Sequence, residues 1–222
     1  MFDASPWQPS LLDASVSKPE PDRAFADLVR LDLGQGAWVD HQLGWLRGAD
    51  SLFADLLESA PFEQRQMTIF GKRLDQPRLT TWWEDPAHQA PGPVEAMRQA
   101  LRERYEEPFD AVGINLYRDG RDSVAWHADR HARGPGSPDV VVAIVSLGDT
   151  RRFLLRPRVG GGPSQAFDLH AGDLLVMGGS CQRTRQHTIP KTARPVGPRM
   201  SVTFRHPPEA ELGDPAPVAT AG

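Results

Sequence analysis

The sequence is poor in several features, and each shortage excludes a class of protein. Only one of the 222 residues is a cysteine, Cys181, so an internal disulfide cannot form and a disulfide-stapled extracellular domain is excluded. We interpret Cys181 as a small buried residue rather than a reactive thiol. No apolar run approaches the roughly 18 residues of a membrane span. Residues 1–7 lack the basic start and apolar core of a signal peptide. We therefore expect a cytoplasmic protein without membrane segments.

Composition and local patterns divide the chain into three parts. With 39% hydrophobic and 24% charged residues, the chain has enough apolar material for one full-sized core. Residues 1–24 are rich in proline, serine and aspartate and predict a loose arm, while 207–222 predict a disordered tail. A single domain is expected over 25–206, and no pattern indicates an interface, so we expect a monomer.

Charge is distributed unevenly despite the modest net value of −4. Residues 1–60 contain ten acidic and four basic residues, whereas 111–206 contain seven aspartates, no glutamate and fourteen lysines or arginines. Such a basic segment is typical of phosphate binding, although surface arginines are also common without that role. The arginines in question are Arg118, Arg121, Arg130, Arg133, Arg151, Arg152, Arg156, Arg158, Arg183 and Arg185.

Hydrophobic periodicity predicts helices in the first half and strands in the second. Apolar residues at helical spacing predict one helix from near Asp50 to just before Pro61 and another over 93–105. A short strand is predicted near 30–33. Strands are then predicted at 111–118, 123–129, 139–147, 151–156, 165–169, 173–178 and 199–206. The order indicates an α+β, mostly β fold, an antiparallel double-sheet barrel backed by N-terminal helices.

Two predicted strands have a polar face that an interior cavity would explain. In 199–205, Arg199, Ser201, Thr203 and Arg205 alternate with apolar residues, and in 111–118 the pair Asn115 and Tyr117 does the same. An exposed face is the ordinary explanation. If the faces line a cavity instead, the arginines need an anion, because burying an unpaired charge is unfavourable.

Three residues form a candidate metal site. His127 and Asp129 are two positions apart, so on a strand their side chains leave the same face. A third ligand, His187, would complete the two-histidine, one-carboxylate triad of non-haem Fe(II) oxygenases, which leaves positions open for cosubstrate and O2. His-x-Asp also arises by chance in a chain with seven histidines. His131 shares strand parity with the pair and is a competing ligand.

Taken in order, the motifs resemble those of the AlkB family of Fe(II)- and 2-oxoglutarate-dependent dioxygenases. The resemblance is strong over 111–206 and weaker back to residue 62. It is carried by His127-x-Asp129 and the segments 115–120, 146–148, 152–157, 172–177, 187–191 and 199–205. The resemblance implies a double-stranded β-helix, of the jelly-roll or cupin-like kind, with a catalytic core at about 111–206 and a nucleotide-recognition lid at about 66–92.

The resemblance also implies an activity, oxidative dealkylation of N-alkylated bases in DNA or RNA. In that reaction 2-oxoglutarate and O2 are consumed, succinate and CO2 form, and the methyl group leaves as formaldehyde. His127, Asp129 and His187 would bind Fe(II). Asn115, Tyr117, Arg199, Thr203 and Arg205 would bind 2-oxoglutarate. The alternatives are a hydroxylase of the same fold acting on a small molecule or protein, and an inactive nucleic-acid-binding module.

Substrate contacts follow less directly from the resemblance. Phe70, Gly71 and Lys72 match a loop whose aromatic residue fills the space left by a flipped base. Trp83 matches a base-contacting position, and Arg130 follows the ligand Asp129. Core packing is the alternative for Phe70, Trp82 and Trp83.

Three departures from the family pattern leave base and strand preference open. The segment after Trp83 is short and lacks a Tyr-x-Tyr stretch, His131 stands where relatives have an acidic residue, and Ser201 replaces a frequent asparagine.

Overall fold

The structure is a computed structural model that describes residues 17–69, 71–83, 89–129 and 139–206. The strands in these ranges are β1 (Glu20–Pro21), β2 (Val29–Gly34), β3 (Ala37–Gln42), β4 (Leu46–Arg47), β5 (Gln66–Ile69), β6 (Lys72–Asp75), β7 (Leu79–Trp83), β8 (Ala111–Tyr117), β9 (Val124–His127), β10 (Val142–Gly148), β11 (Arg151–Pro157), β12 (Gln165–Leu169), β13 (Leu174–Gly179), β14 (Arg185–Ile189) and β15 (Arg199–Arg205). The helices are α1 (Ala49–Ser59), α2 (Gly92–Tyr105) and the short α3 (Cys181–Thr184).

Two antiparallel sheets form the body of the molecule. The major sheet has seven strands in the order β2-β3-β13-β10-β15-β8-β7, and the minor sheet has four in the order β12-β11-β14-β9. Most sequence neighbours are separated in these orders, as expected for a double-stranded β-helix. The predicted α+β, mostly β fold with a jelly-roll core is confirmed.

Strand alternation produces two separate cores. On β15, Met200, Val202 and Phe204 are fully buried against the helices, in a cluster that also contains Phe53 of α1 and Met97 of α2. A second cluster lies between the sheets and joins residues of the major sheet to residues of the minor sheet. The polar residues of β8 and β15 therefore face the space between the two sheets and not solvent, and we call this space the cavity.

The helices are those that the periodicity predicted. Helix α1 ends at Ser59, before Pro61, and α2 has Pro93 in its first turn, where the missing N–H of proline is harmless. Both helices bury one apolar face against the major sheet. None of the helices in the described part of the chain is long and apolar enough to cross a membrane.

Three boundaries differ from the sequence predictions. The arm was predicted to extend to residue 24, but β1 pairs with β4, and the Asp22 carboxylate accepts hydrogen bonds from Ala24, Ala26 and Gln42, so the ordered fold begins earlier. The major sheet also takes β2, β3 and β7 from outside 111–206. The end of the predicted lid is therefore a strand of the main sheet. Residues 1–16 and the predicted tail 207–222 lie outside the described residues.

Candidate metal centre and cosubstrate pocket

The minor sheet brings His127 and His187 together. His127 is the last residue of β9 and pairs directly with His187 of β14, and the two rings lie 4.2 Å apart between centroids. Asp129 follows two residues after His127. One potential ligand atom from each of the three residues lies within 4.8 Å of the others, and no other such group of histidine, cysteine or acidic residues occurs in the described ranges. The donor set suits Fe(II), because two imidazoles and one carboxylate leave half of an octahedron open.

Both histidines are held in forms that can bind a cation. The Nδ1 of His127 lies 2.8 Å from the Ala125 carbonyl oxygen and donates to it, so Nε2 is the ring nitrogen available to a metal ion. His187 is buried and stacks on Phe153 at 5.3 Å. Burial, assisted by the neighbouring His127, lowers the pKa of His187 to about 3, so its imidazole is neutral at neutral pH.

Asp129 is oriented by two neighbours. Its backbone N–H donates to the Gln182 side chain at 2.9 Å, and its Oδ1 accepts a hydrogen bond from Arg205 at 3.0 Å. An ion pair of this kind fixes the direction of the carboxylate. Arg205 was expected to contact 2-oxoglutarate. In the structure its guanidinium bonds to the candidate metal ligand Asp129, and its contact with 2-oxoglutarate stays a prediction.

Arg199 is the best candidate for binding a carboxylate in the cavity. It is 0% exposed, its Nε donates to Ser146 Oγ at 3.1 Å, and both terminal guanidinium nitrogens lack a hydrogen-bond partner. Burial lowers its pKa to about 10, so it remains charged at neutral pH. Because such a group is unfavourable without a partner, the residues present fit the carboxylate of 2-oxoglutarate.

Asn115, Tyr117 and Thr203 share the cavity with Arg199. Tyr117 pairs with Arg199 across β8 and β15, and the guanidinium lies 5.4 Å from the tyrosine ring centre. Burial raises the pKa of the Tyr117 hydroxyl, which therefore stays protonated and able to donate. Thr203 pairs with Gly113 and lies half-buried on the same face.

Trp83 does not lie in the cavity, contrary to the expectation that it contacts substrate. Its side chain is 7% exposed and belongs to the helix-facing core. The register explains the difference: Trp82 pairs with Gly113 and Thr80 with Asn115, so the even-numbered residues of β7 face the cavity. A Cβ at Gly113 would lie 2.6 Å from the Trp82 ring, and the Arg205 guanidinium lies 4.3 Å from the ring centre.

The remaining substrate candidates are near a hairpin or outside the described residues. Gly71 has a φ of 74° at the turn between β5 and β6, and Lys72 is exposed at the start of β6. Strands β5 and β6 form a two-stranded sheet of their own. Phe70, Arg130 and the competing ligand His131 lie outside the described residues.

Most described arginines of the basic segment already have partners. Arg118, Arg121, Arg152 and Arg183 form ion pairs with Asp122, Asp119, Asp168 and Asp139, respectively. Arg151 is buried and donates to three backbone carbonyls, and Arg185 donates to the Leu33 carbonyl. Arg156 differs, because it lies 4.0 Å over the Trp126 ring. These contacts leave the excess of bases over acids in 111–206 unchanged, but they engage guanidiniums that could otherwise contact phosphate.

Sequence reasoning missed the cavity-facing side chains of β7. Arg78, Thr80 and Trp82 alternate along this stretch and face the same way as Asn115. A run of Leu79, two threonines and two tryptophans is rich in residues that favour strands, and that signal was available in the sequence. Only the pairing with β8, however, shows which of the two tryptophans faces inward.

Comparisons with known proteins agree with this geometry. The 2OG-Fe(II) oxygenase superfamily model matches residues 46–205. The Alpha-ketoglutarate-dependent dioxygenase alkB homolog 3 of Bos taurus is 31% identical over 179 residues, covering 72% of this chain and 62% of that protein. The DNA oxidative demethylase ALKBH2 of Mus musculus is 28% identical over 180 residues, covering 71% and 74%. The chain thus spans less than two thirds of the alkB homolog 3 relative.

Solved structures share the fold. OsALKBH1 superimposes with a TM-score of 0.53 at 17% identity, over 79% of this chain and 100% of that one. A Pseudomonas putida prolyl-4-hydroxylase does so with a TM-score of 0.50 at 15% identity, over 77% and 93%. The superfamily uses Fe(II), 2-oxoglutarate and O2, and His127, Asp129 and His187 form a possible metal site in this chain. The chain belongs to the 2OG-Fe(II) oxygenase superfamily and, within it, to the AlkB family.

Proposed function

We propose that the protein is an oxidative demethylase of N-alkylated bases in DNA or RNA, acting as a monomer. The observation that carries the proposal is a two-histidine, one-carboxylate donor set whose aspartate is hydrogen-bonded by Arg205 of β15, the strand that also carries Arg199 with its two unpartnered guanidinium nitrogens. The names of the alkB homolog 3 and ALKBH2 relatives support a nucleic-acid substrate for this oxygenase.

Different side chains would bind the metal ion and the cosubstrate. His127, Asp129 and His187 would hold Fe(II), and Arg199 would bind the far carboxylate of 2-oxoglutarate with its two free nitrogens. When bound, iron, 2-oxoglutarate and O2 supply the oxidation that converts the N-methyl group to formaldehyde and the cosubstrate to succinate and CO2. Arg205 orients the Asp129 carboxylate through its hydrogen bond.

The target base must leave its stack to reach such a cavity. We assign its aromatic contact to Trp82, because this indole faces the cavity and packs beside Arg205, which itself contacts Asp129. We also propose Phe70, Gly71, Lys72 and Arg130 as contacts with the nucleic-acid strand that carries the base.

The first experiment measures succinate and formaldehyde from the Fe(II)-loaded protein under air. A single-stranded oligonucleotide carrying 1-methyladenine or 3-methylcytosine is compared with its unmethylated twin. We expect both products to increase with the methylated strand only, with formaldehyde equal to the repaired base. Asp129→Ala should abolish turnover and leave oligonucleotide binding largely intact, which separates catalysis from binding.

Two results would contradict the proposal. Succinate formation without any response to methylated single strands, duplexes or RNA would indicate a hydroxylase of another substrate class. Oligonucleotide binding with no turnover by the iron-loaded wild-type protein would indicate a binding module.

A further inference from the structure

Among the described residues, Arg78 is an arginine at the cavity to which neither the sequence motifs nor the metal site gives a role. It lies immediately before β7, and its Nε donates to Asn115 Oδ1 at 2.9 Å. Asn115 in turn lies on β8 next to Ser201 of β15, in the wall that carries Arg199. Arg78 therefore contacts the candidate cosubstrate pocket from the position just before the strand that carries Trp82.

The contact determines which way the Asn115 amide points. A guanidinium has only N–H donors, so the amide atom that faces Arg78 must be the oxygen. The Asn115 NH2 group is then directed away from Arg78, with two donors left for another partner. A carboxylate is a pure acceptor, so an amide held in this orientation suits 2-oxoglutarate, whereas the flipped amide would present an oxygen to it.

The backbone around Arg78 is anchored on several sides. The Pro77 carbonyl accepts from the Ser123 N–H at 2.8 Å, and the Arg78 carbonyl accepts from the Gln64 side chain at 3.3 Å. Thr80 and Glu63 exchange two backbone hydrogen bonds. These contacts hold the start of β7 in place, so the side chain of Arg78 approaches Asn115 from a fixed point.

We propose that Arg78 is a positioning residue for 2-oxoglutarate, which acts by holding the Asn115 amide with its NH2 group directed at the cosubstrate. The inference rests on the cosubstrate pocket of the proposed function and not on the identity of the nucleic acid. It also means that the segment leading into β7, the strand that carries Trp82, contributes to cosubstrate binding through the Arg78–Asn115 hydrogen bond.

The test is a double-mutant cycle on 2-oxoglutarate binding, measured by calorimetry in Mn(II)-loaded protein so that no turnover occurs. Arg78→Ala should raise the dissociation constant about tenfold, since a hydrogen bond to a charged group is lost and the amide is free to flip. In an Asn115→Ala background the same change should have little further effect, because the group through which Arg78 acts is gone. Arg78→Lys, which also offers only donors, should recover part of the affinity.

The controls separate positioning from charge and from folding. Arg102→Ala removes one exposed arginine from α2 and should leave the dissociation constant unchanged. Thermal unfolding of each variant shows whether it remains folded. An unchanged constant in folded Arg78→Ala, or a full tenfold loss in the Asn115→Ala background, would overturn the proposal. Formaldehyde release from methylated strands by the wild type is unaffected by either outcome, so the two proposals fail separately.

Discussion

Two buried arginines contact the ring of Tyr117. One lies where the protein supplies its hydrogen-bond acceptors, and the other lies where two of its nitrogens have none. Arg199 lies in the cosubstrate pocket, 5.4 Å from the ring centre, with two nitrogens that have no partner. Arg151 lies 5.7 Å from the same ring and donates to the carbonyls of Asp119, Asp122 and Pro190. We call Arg151 and these three carbonyls the clamp.

The difference shows how a binding site is distinguished from a structural one. Both guanidiniums are removed from water, and burial lowers the pKa of each. In the clamp the protein supplies the acceptors, so the charge holds the loop after β8 and the residue after β14 together. In the pocket the acceptors are missing, so the folded protein retains a group whose partner must come from outside.

The largest expected effect comes from replacing Arg199. Arg199→Met should lower kcat/KM for 2-oxoglutarate by at least roughly 100-fold, because two charge-assisted hydrogen bonds to the carboxylate are lost. The same change should stabilise the cosubstrate-free protein by about 1–3 kcal/mol, since a buried charge without partners is removed. Kinetics and thermal unfolding measure the two effects. A variant that loses activity and also unfolds at a lower temperature would show that Arg199 is structural.

Arg151→Met should give the opposite result in stability. Three carbonyl groups would lose a charged donor in a buried place, which should destabilise the protein by about 3 kcal/mol. For a domain of this size the melting temperature should fall by about 6–12 °C. Below the transition, affinity for 2-oxoglutarate should change less than in Arg199→Met. Equal stability changes in the two variants would remove the distinction between clamp and pocket.

The adjacent tryptophans of β7 offer the same comparison within one strand. Trp83→Ala should destabilise the protein by about 3–5 kcal/mol, as expected for a large core side chain. Trp82→Ala should instead weaken binding of a methylated oligonucleotide about tenfold, because base stacking is lost. Urea unfolding and oligonucleotide titration of both variants test this. If Trp83→Ala is the variant that loses oligonucleotide affinity while remaining stable, the register of β7 assigned here is wrong.

Local pattern alone predicted much of the fold. The helical spacing around Leu52, Phe53 and Leu56 predicted α1, and the alternation in 199–205 predicted both faces of β15. The ordered motifs predicted that His127, Asp129 and His187 form one metal site, and in the structure the three side chains lie close together. These features depend on residues close in sequence or on motifs that a family repeats.

What could not be predicted depends on pairing between distant segments. Nothing within residues 79–83 determines that Trp82 rather than Trp83 faces the cavity, because a one-residue change of register would exchange the two faces. The partner of Arg78 is 37 residues away along the chain, and Arg205 bonds to Asp129 across 76 residues. Composition likewise did not show which guanidiniums of 111–206 already have a carboxylate partner, so phosphate binding by this segment stays a prediction.

The smallest expected effects test whether exposed arginines on the outer surface of the minor sheet contact phosphate. Arg152 is exposed and paired with Asp168, whereas Arg156 lies over Trp126 with no carboxylate at ion-pair distance among the described residues. Arg152→Ala should change stability by less than about 1 kcal/mol and leave oligonucleotide affinity nearly unchanged, because surface pairs contribute little and the charge is already compensated.

Arg156→Ala should weaken binding of single strands slightly and reduce the salt dependence of log K by up to about 0.7, the value for one lost phosphate contact. Titrations at several salt concentrations distinguish the two. Equal salt slopes for both variants and the wild type would mean that strands do not contact this surface, and the basic composition of 111–206 would then serve the fold alone.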